Sequence, residues 1–578
     1  MSNTANQNKQ NKHRQAKMRL WMLLVILIGC NILASQFHIG LDLTADKKFT
    51  LSNASVRLLK NLKDVVVVDV YLKGEFPSGF KKLSEATKEK LNAFQDVAGT
   101  KVVYRFINPF EGKAESEKEA IFKQLADKGI NGVNLQVNGK GAEGYSEKII
   151  FPYALVSYNG KSYPVKLLES HLGMSPLEVL NYSESQLEYK FVKAIHTLEL
   201  PDVPSVAYIV GHEESLGLQT LDLLRSLDAN YNLDTIDITS TYFIPNTYDA
   251  IVINKPKTAF EDKDKFKIDQ YVMHGGHVLW MVDMLQTPMD SLQKTQQFVT
   301  LDYPLNLDDL FFKFGFRINT NLIEDMQCNQ IPVTVGMNGD QPQIELRNWI
   351  YFPVMIPESK HPIVNNMDAI MGMFVNSIDT VENTAIEKTV LLSSSKYSRV
   401  AASPMRVSLT MLKYPQRTAL FNQPNQPIAV LLEGNFNSLF ANRLAASFLH
   451  IYQDSLHRTF KGATDKATSM IVIADGDIAE NDFSKARGPM EMGYWRYSDT
   501  RYANKTFVLN CLEYLVDQSK LMEARTKESR LRLLDAGRVT DEKLQWQIVN
   551  IILPIVLILI FASAYTFIRK RKFEVKSK

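Results

Sequence analysis

The chain has 578 residues, 45% of them hydrophobic and 22% charged, an ordinary balance that excludes a mostly disordered protein. Its length suggests about three or four folded units. Lys and Arg total 66 against 63 Asp and Glu, a net charge of +3, so no nucleic acid partner is expected, and three cysteines exclude a disulfide scaffold or a Cys-rich zinc array.

Residues 1–19 are polar and basic, with Lys9, Lys12, Arg14, Lys17 and Arg19 and no acid. Residues 20–37 follow as an apolar run, just long enough to cross a bilayer, which takes about 20 residues of helix. Two other readings stay open. Ala34 and Ser35 suit a cleaved signal peptide, and Leu27-Ile28-Gly29-Cys30 suits a lipoprotein signal. The apolar character continues through Ile32, Leu33 and Phe37, which favours an uncleaved anchor. A second uncharged run, 546–568, precedes Arg569, Lys570, Arg571 and Lys572 in the tail 569–578. Basic flanks lie on the cytoplasmic side, so both termini are expected there and the bulk of the chain in the periplasm of a bacterial inner membrane.

Between the runs, residues 38–200 predict an α/β domain. Thr50 or Ser52 suits the cap of a helix over 53–62, and the β-branched run 65–72 suits a buried strand. A helix over 83–97, a strand over 101–107, a helix over 116–128 and a strand over 133–137 follow. Strands over 147–157 and 161–168 flank a Tyr158-Asn159-Gly160 hairpin, and a helix over 185–198 closes the unit. The order β-α-β-α-β-β-α is that of a thioredoxin-like domain. No Cys lies between Cys30 and Cys328, which excludes thiol chemistry there.

Residues 201–519 predict a second α/β domain with a doubly wound parallel sheet. Strands are expected at 206–210, 233–238, 250–253, 277–282, 428–432 and 470–474. Helices are expected at 218–228, 262–273 and 505–515. The pattern blurs over 287–426, expected to hold β-rich insertions. The charged stretch 520–545 suits either a solvated helix or a juxtamembrane element that touches headgroups or a partner.

Chemistry-bearing motifs are sparse. Residues 139–144 match GxGxxG, but a strand pattern follows where a dinucleotide site needs a helix, so a loop is expected. No GxxxxGK[ST] occurs, so ATP-driven work needs a partner, and no GxSxG elbow occurs. His212, Glu213 and Glu214 follow a predicted strand, where ligands of open α/β sheets bind; a polar loop is the plainer reading. His274 and His277 flank two glycines, which a helix end explains. Asp283 ends another strand. Asp475-Gly476-Asp477, with Glu480-Asn481-Asp482 after it, follows a third; such carboxylates could hold Ca²⁺ or Mg²⁺, but a polar loop is favoured and no metal or cofactor is expected. Cys328 and Cys511 could pair, which spacing does not decide.

Several strings resemble the gliding-motility-associated ABC transporter auxiliary family, often described as its substrate-binding component. They are Leu41-Asp42-Leu43-Thr44 with Phe49-Thr50-Leu51-Ser52, and Val70-Tyr71-Leu72-Lys73-Gly74-Glu75-Phe76-Pro77 with Gly79-Phe80. Further on come Tyr208-Ile209-Val210-Gly211-His212-Glu213-Glu214, Ile268-Asp269-Gln270-Tyr271 with Gly275-Gly276, Val472-Ile473-Ala474-Asp475-Gly476-Asp477, and Arg525-Thr526-Lys527-Glu528 with Arg530. The resemblance implies an ABC permease, a cytoplasmic ATPase and the lipid bilayer as partners, a role in gliding motility, and a glutamine-amidotransferase-like large domain without transferred catalytic residues. The expectation is a non-catalytic subunit, with His212, Glu213, Glu214, Asp283, Asp475 and Asp477 toward a ligand and Arg525, Lys527, Arg530 and Arg532 toward the permease. A periplasmic solute-binding module for a saccharide and an envelope hydrolase are the alternatives.

Overall fold

The computed structural model describes residue 18 and residues 20–29, 50–74, 76–138, 145–169, 174–338, 341–517, 521–526 and 542–573. The chain divides into two compact units, 1–528 and 529–578. The GxGxxG loop, Cys30, Lys527, Arg530 and Arg532 lie outside the described residues.

The first unit begins with α1 (Asn53–Asn61), capped by Ser52, whose hydroxyl accepts from the Ser55 amide at 3.1 Å. β1 (Val66–Val70) buries Val66, Val68 and Val70 completely. α2 (Ser78–Ala98), β2 (Val102–Phe106) and α3 (Glu115–Asp127) follow. β3 (Val133–Asn138) and β4 (Tyr145–Ile150) pair only with each other; β5 (Tyr153–Tyr158) and β6 (Lys161–Lys166) join the four-stranded sheet β2-β1-β5-β6. The expected strand 147–157 is therefore two strands. Pro152 interrupts it, because proline offers no amide to a ladder, and the chain makes a tight turn from Tyr153 N to Phe151 O at 2.8 Å.

α4 (Pro176–Glu199) starts well before the expected 185. Ser175-Pro176 with Glu178 forms a capping box: the Ser175 hydroxyl accepts from the Glu178 amide, and Glu178 accepts from the Ser175 amide at 2.7 Å. α4 carries buried Glu188, which accepts from Ser52 N at 2.6 Å and Ser55 Oγ at 2.8 Å. That carboxylate fastens α1 to α4.

A seven-stranded sheet forms the core of the larger domain. Its strands are β7 (Ser205–Val210), β8 (Asn232–Asp237), β9 (Ala250–Asn254), β10 (His277–Met281), β11 (Ile386–Ser393), β12 (Pro427–Gly434) and β13 (Thr468–Ile473), in the order β11-β12-β13-β10-β9-β7-β8. β13, β10, β9, β7 and β8 run parallel; β12 pairs antiparallel with β13 and β11 antiparallel with β12, so β12 alone is reversed. The sheet is thus mixed, not wholly parallel. β11 arises inside the 287–426 region and returns to pair with β12 as an edge ribbon.

The parallel strands read as continuous apolar runs because both faces are covered. Ala207, Ile209, Ile251, Ile253, Val278 and Trp280 pack on the face of α6 (Asp262–Met273). Val206, Tyr208, Ala250, Val252, Leu279 and Met281 pack on the face that includes residues of α5 (Leu221–Asp228) and α7 (Asn504–Val516). The order about β7 reads second-first-third, so β7 and β9 mark the point where crossovers leave in opposite directions. The 287–426 region is β-rich, with strands Asn321–Asp325, Cys328–Asn338 and Gln341–Met355.

The second unit holds α8 (Lys543–Phe573), within which Lys543–Arg571 has mean hydropathy 2.6. Among the described residues it is the one helix long and apolar enough to cross a membrane. It begins before the expected 546 and contains Pro554. Leu20–Gly29 is helical but short, and 30–37 lie outside the described residues.

Trp280 is fully buried and meets Phe311 edge-on, ring centroids 5.1 Å apart. Trp280→Ala is expected to destabilise the larger domain by about 3–5 kcal/mol, read by denaturant unfolding of the full chain in detergent. An unchanged midpoint would contradict this packing.

Candidate functional site at the strand ends

Three neighbouring parallel strands deliver charged groups at their carboxyl ends. β9 is followed by Lys255, held at φ +53°; β10 by Asp283; β13 by Asp475-Gly476-Asp477 and a short turn to Glu480. The Lys255 ammonium contacts Asp477 closely and lies 3.4 Å from Asp283 and 3.5 Å from Glu480. Gly476 permits this: a Cβ there would come within 2.8 Å of the Lys255 Cβ. The Gly476 amide donates to Asp283 at 2.6 Å, and Asp475 accepts from Asp477 N at 2.8 Å and Met373 N at 2.9 Å.

The balance is four carboxylates around one ammonium. Burial, then Asp477 and Asp283, drive the Asp475 carboxyl well above its ordinary range, and burial raises Asp283. Burial and Asp477 push Glu480 up to about 7. Burial opposes the charge on Lys255, but Asp477, Asp283 and Glu480 together outweigh it and hold the ammonium well above the usual lysine value. Oxygens of Asp283, Asp475 and Asp477 lie within 4.8 Å of one another, near enough for one cation, but Lys255 already supplies a positive charge to Asp283 and Asp477.

Beside this cluster lies a crevice of about 740 Å³. Asp477 and Glu480 line one side, Tyr494, Trp495 and Tyr497 another, and Phe352 and Met371 from the insertion complete the wall.

The structure divides the residues singled out by sequence. Asp283, Asp475 and Asp477 come together. His212 does not join them: its ring stacks on Phe260 at 3.7 Å between centroids, its Nε2 lies 3.4 Å from Asp264, and burial lowers its pKa. It packs into the core. Glu213 is exposed at φ +62°, and the buried Glu214 accepts from the His212 amide at 2.7 Å within its own loop. His274 and His277 bond to main chain separately, to Gln270 O and Ser469 O. Cys328 and Cys511 are free thiols.

Arg525 also needs correction as a partner contact. It is 4% exposed and lies over the Tyr189 ring of α4 at 5.8 Å. Leu521, Met522 and Ala524 are buried with it, so 521–526 is packed, not solvated; apolar residues in that charged stretch fill a groove on the first unit. Sequence reading missed Lys255, although it lies just two residues past the strand expected at 250–253, and it missed the aromatic segment 494–497.

The fold and site define a mixed α/β protein with an open crevice at the carboxyl ends of its parallel strands. Residues 203–511 match the model of the auxiliary family described as an ABC-type uncharacterized transport system, and the chain belongs to that family; residues 45–157 match a domain of unknown function. It is thus an accessory protein of an ABC transport system. No curated protein matches it. Among solved structures, the mmIFT52 N-terminal domain is similar at TM-score 0.29 and 10% identity, over 54% of this chain and 96% of that one. Phosphoethanolamine N-methyltransferase 2 of Haemonchus contortus, in complex with S-adenosyl-L-methionine, follows at 0.14 and 14%, over 47% and 74%. Neither likeness is close enough to fix a shared fold.

Glu480 has a folded pKa above that of a free carboxyl, so its protonation stabilises the fold at low pH, and that contribution is lost as pH rises through about 7. The thermal midpoint is expected to fall between about pH 5 and about pH 8, and Glu480→Gln to flatten the fall; equal slopes would contradict it. Lys255→Met removes the shared ammonium and is expected to cost about 3–5 kcal/mol in denaturant unfolding, least at low pH, where the carboxyls are neutral.

Proposed function

We propose that the protein is a non-catalytic, membrane-anchored subunit of an ABC transporter complex associated with gliding motility. Its large α/β domain engages a substrate or envelope partner from the periplasm, while a permease and a cytoplasmic ATPase supply the path and the energy. The observation that carries this reading is the family match over 203–511, followed in the same chain by an apolar helix that ends in Arg569, Lys570 and Arg571. The basic end favours a cytoplasmic C-terminus. The paired apolar run at 20–37 supports two anchors with both termini inside, too few for a transport path of their own. The motility role and the thioredoxin-like and amidotransferase-like character of the two domains rest on the resemblance and element order given above.

A solute-binding module is the second reading, favoured by the 740 Å³ crevice, a size that suits a small ligand. The hydrolase alternative requires a nucleophile beside a base, and the Lys255 cluster offers carboxylates that are already committed to an ammonium.

Purification of the tagged full chain from its native membrane in mild detergent tests the main reading. A multi-span permease and an ATPase are expected to co-purify in stable ratio, identified by mass spectrometry. A chain that purifies alone would overturn the reading, and a deletion strain that glides normally would remove the motility role.

A further inference from the structure

We propose that the crevice between the strand ends and the aromatic segment 494–497 binds a small organic cation, an ammonium group on an apolar body, with Glu480 as the carboxylate that receives the charge. This rests on the substrate-engaging reading above and names its ligand chemistry.

The crevice has two unlike sides. On one, the Trp495 indole N–H donates to Gln330 O at 2.9 Å and the Tyr494 hydroxyl donates to Asp499 at 2.8 Å. Their polar edges are spent; Arg501 lies over the Tyr494 ring at 5.9 Å and Arg496 over the Tyr497 ring at 5.3 Å, so it is chiefly Trp495 that offers apolar and π surface. Tyr497, 41% exposed, stands 5.1 Å from Trp495 between centroids. Met371 and Phe352 extend this surface.

On the other side three carboxylates face the crevice. Asp482 is held by Arg496 at 2.8 Å, and Asp477 by the close contact with Lys255. Glu480 shares a hydrogen bond with Asp477, and its cationic partner is the longer 3.5 Å approach of the same shared ammonium, so of the three its charge is the least compensated. Lys255, Asp477 and Asp283 face it electrostatically, and the Tyr208 and Tyr303 hydroxyls feel its charge. A second cation beside Glu480 would complete the balance that one lysine leaves short.

An anion is disfavoured at the same place. In doubly wound folds phosphate sits at the first helix's N-terminus. Here Asn481 Oδ1 accepts from Asp222 N at 3.0 Å, the Asn481 amide donates to Gln219 O at 2.7 Å, and the Asp222 carboxylate in that first turn is paired with Lys505 at 2.9 Å. The amide that a phosphate would need is already taken.

Three probes share one body and differ in charge: phenethylamine, 2-phenylethanol and phenylacetate. Each is titrated calorimetrically into the full chain in detergent. Phenethylamine is expected to bind about tenfold or more tightly than the other two, a difference one well-placed charge contact can supply. Cation binding requires ionised Glu480, so affinity should rise from about pH 6 to about pH 8 and then level, with proton release on binding below about pH 7. Glu480→Gln should abolish this pH dependence and weaken phenethylamine about tenfold. Should that variant fail to fold, Tyr497→Ala at the exposed rim should weaken phenethylamine while keeping the pH dependence. Equal binding of the three probes, no heat up to about 10 mM, or pH-independent binding would each overturn the proposal. The co-purification result is independent: partners recovered without amine binding sinks only the ligand inference, and amine binding by a chain that purifies alone sinks only the ABC-subunit reading.

Discussion

The Lys255 ammonium is the contact on which the strand-end architecture depends. Asp283, Asp475 and Asp477 are brought together by β10 and β13, which are register-locked by Val278 opposite Met470 and Met281 opposite Ile473. Parallel pairing therefore forces like charges into a buried space, where their repulsion is least screened. β9 answers by ending at Asn254 and turning the next residue, at positive φ, back across the strand tips. The bare Gly476 leaves room for its stem. Burial and the neighbouring carboxylates raise the Asp475 and Glu480 carboxyls above their ordinary range.

The crevice owes its second wall to the insertion. Asn376 accepts from Met284 N at 2.9 Å, and its own amide donates to Ala474 O at 3.0 Å, so one residue of the insertion is tied to the ends of two core strands. Met373 donates to Asp475 at the same level. Gln330 then holds Trp495, which positions the aromatic face. The insertion thus folds back over the carboxyl ends and walls one side of the crevice.

What could be read from sequence follows from the range of the interactions involved. Strands such as 250–253 and 470–474 announced themselves because burial on both faces demands unbroken apolar runs, and the ends of such strands pointed to Asp283, Asp475 and Asp477. His212 shared that position yet turned into the core, because its partner is Phe260, and nothing local marks that stacking. The antiparallel edge of β11 and β12 was hidden by the long insertion that separates β11 from the earlier strands. Trp495 reads as an ordinary aromatic until its distant acceptor, Gln330, is known. The early start of α4 was legible in Ser175, Pro176 and Glu178, a capping box that the helical period alone did not require.

The packing of 521–525 is linked to the crevice through α4 and α7. Met522 and Arg525 rest on Tyr189 of α4. The Tyr189 hydroxyl bonds Glu513 of α7 at 2.5 Å, and Lys193 pairs with the same carboxylate. At the other end of α7, Asn504 donates to Met371 O at 2.8 Å and lines the crevice. Each link joins side chains that are buried or half-buried, where hydrogen bonds hold geometry more firmly than at a wet surface. Burial of Arg525 therefore has a different meaning from the surface role first expected of it. It fixes 521–525 against α4, the helix that Glu513 and Lys193 join to α7.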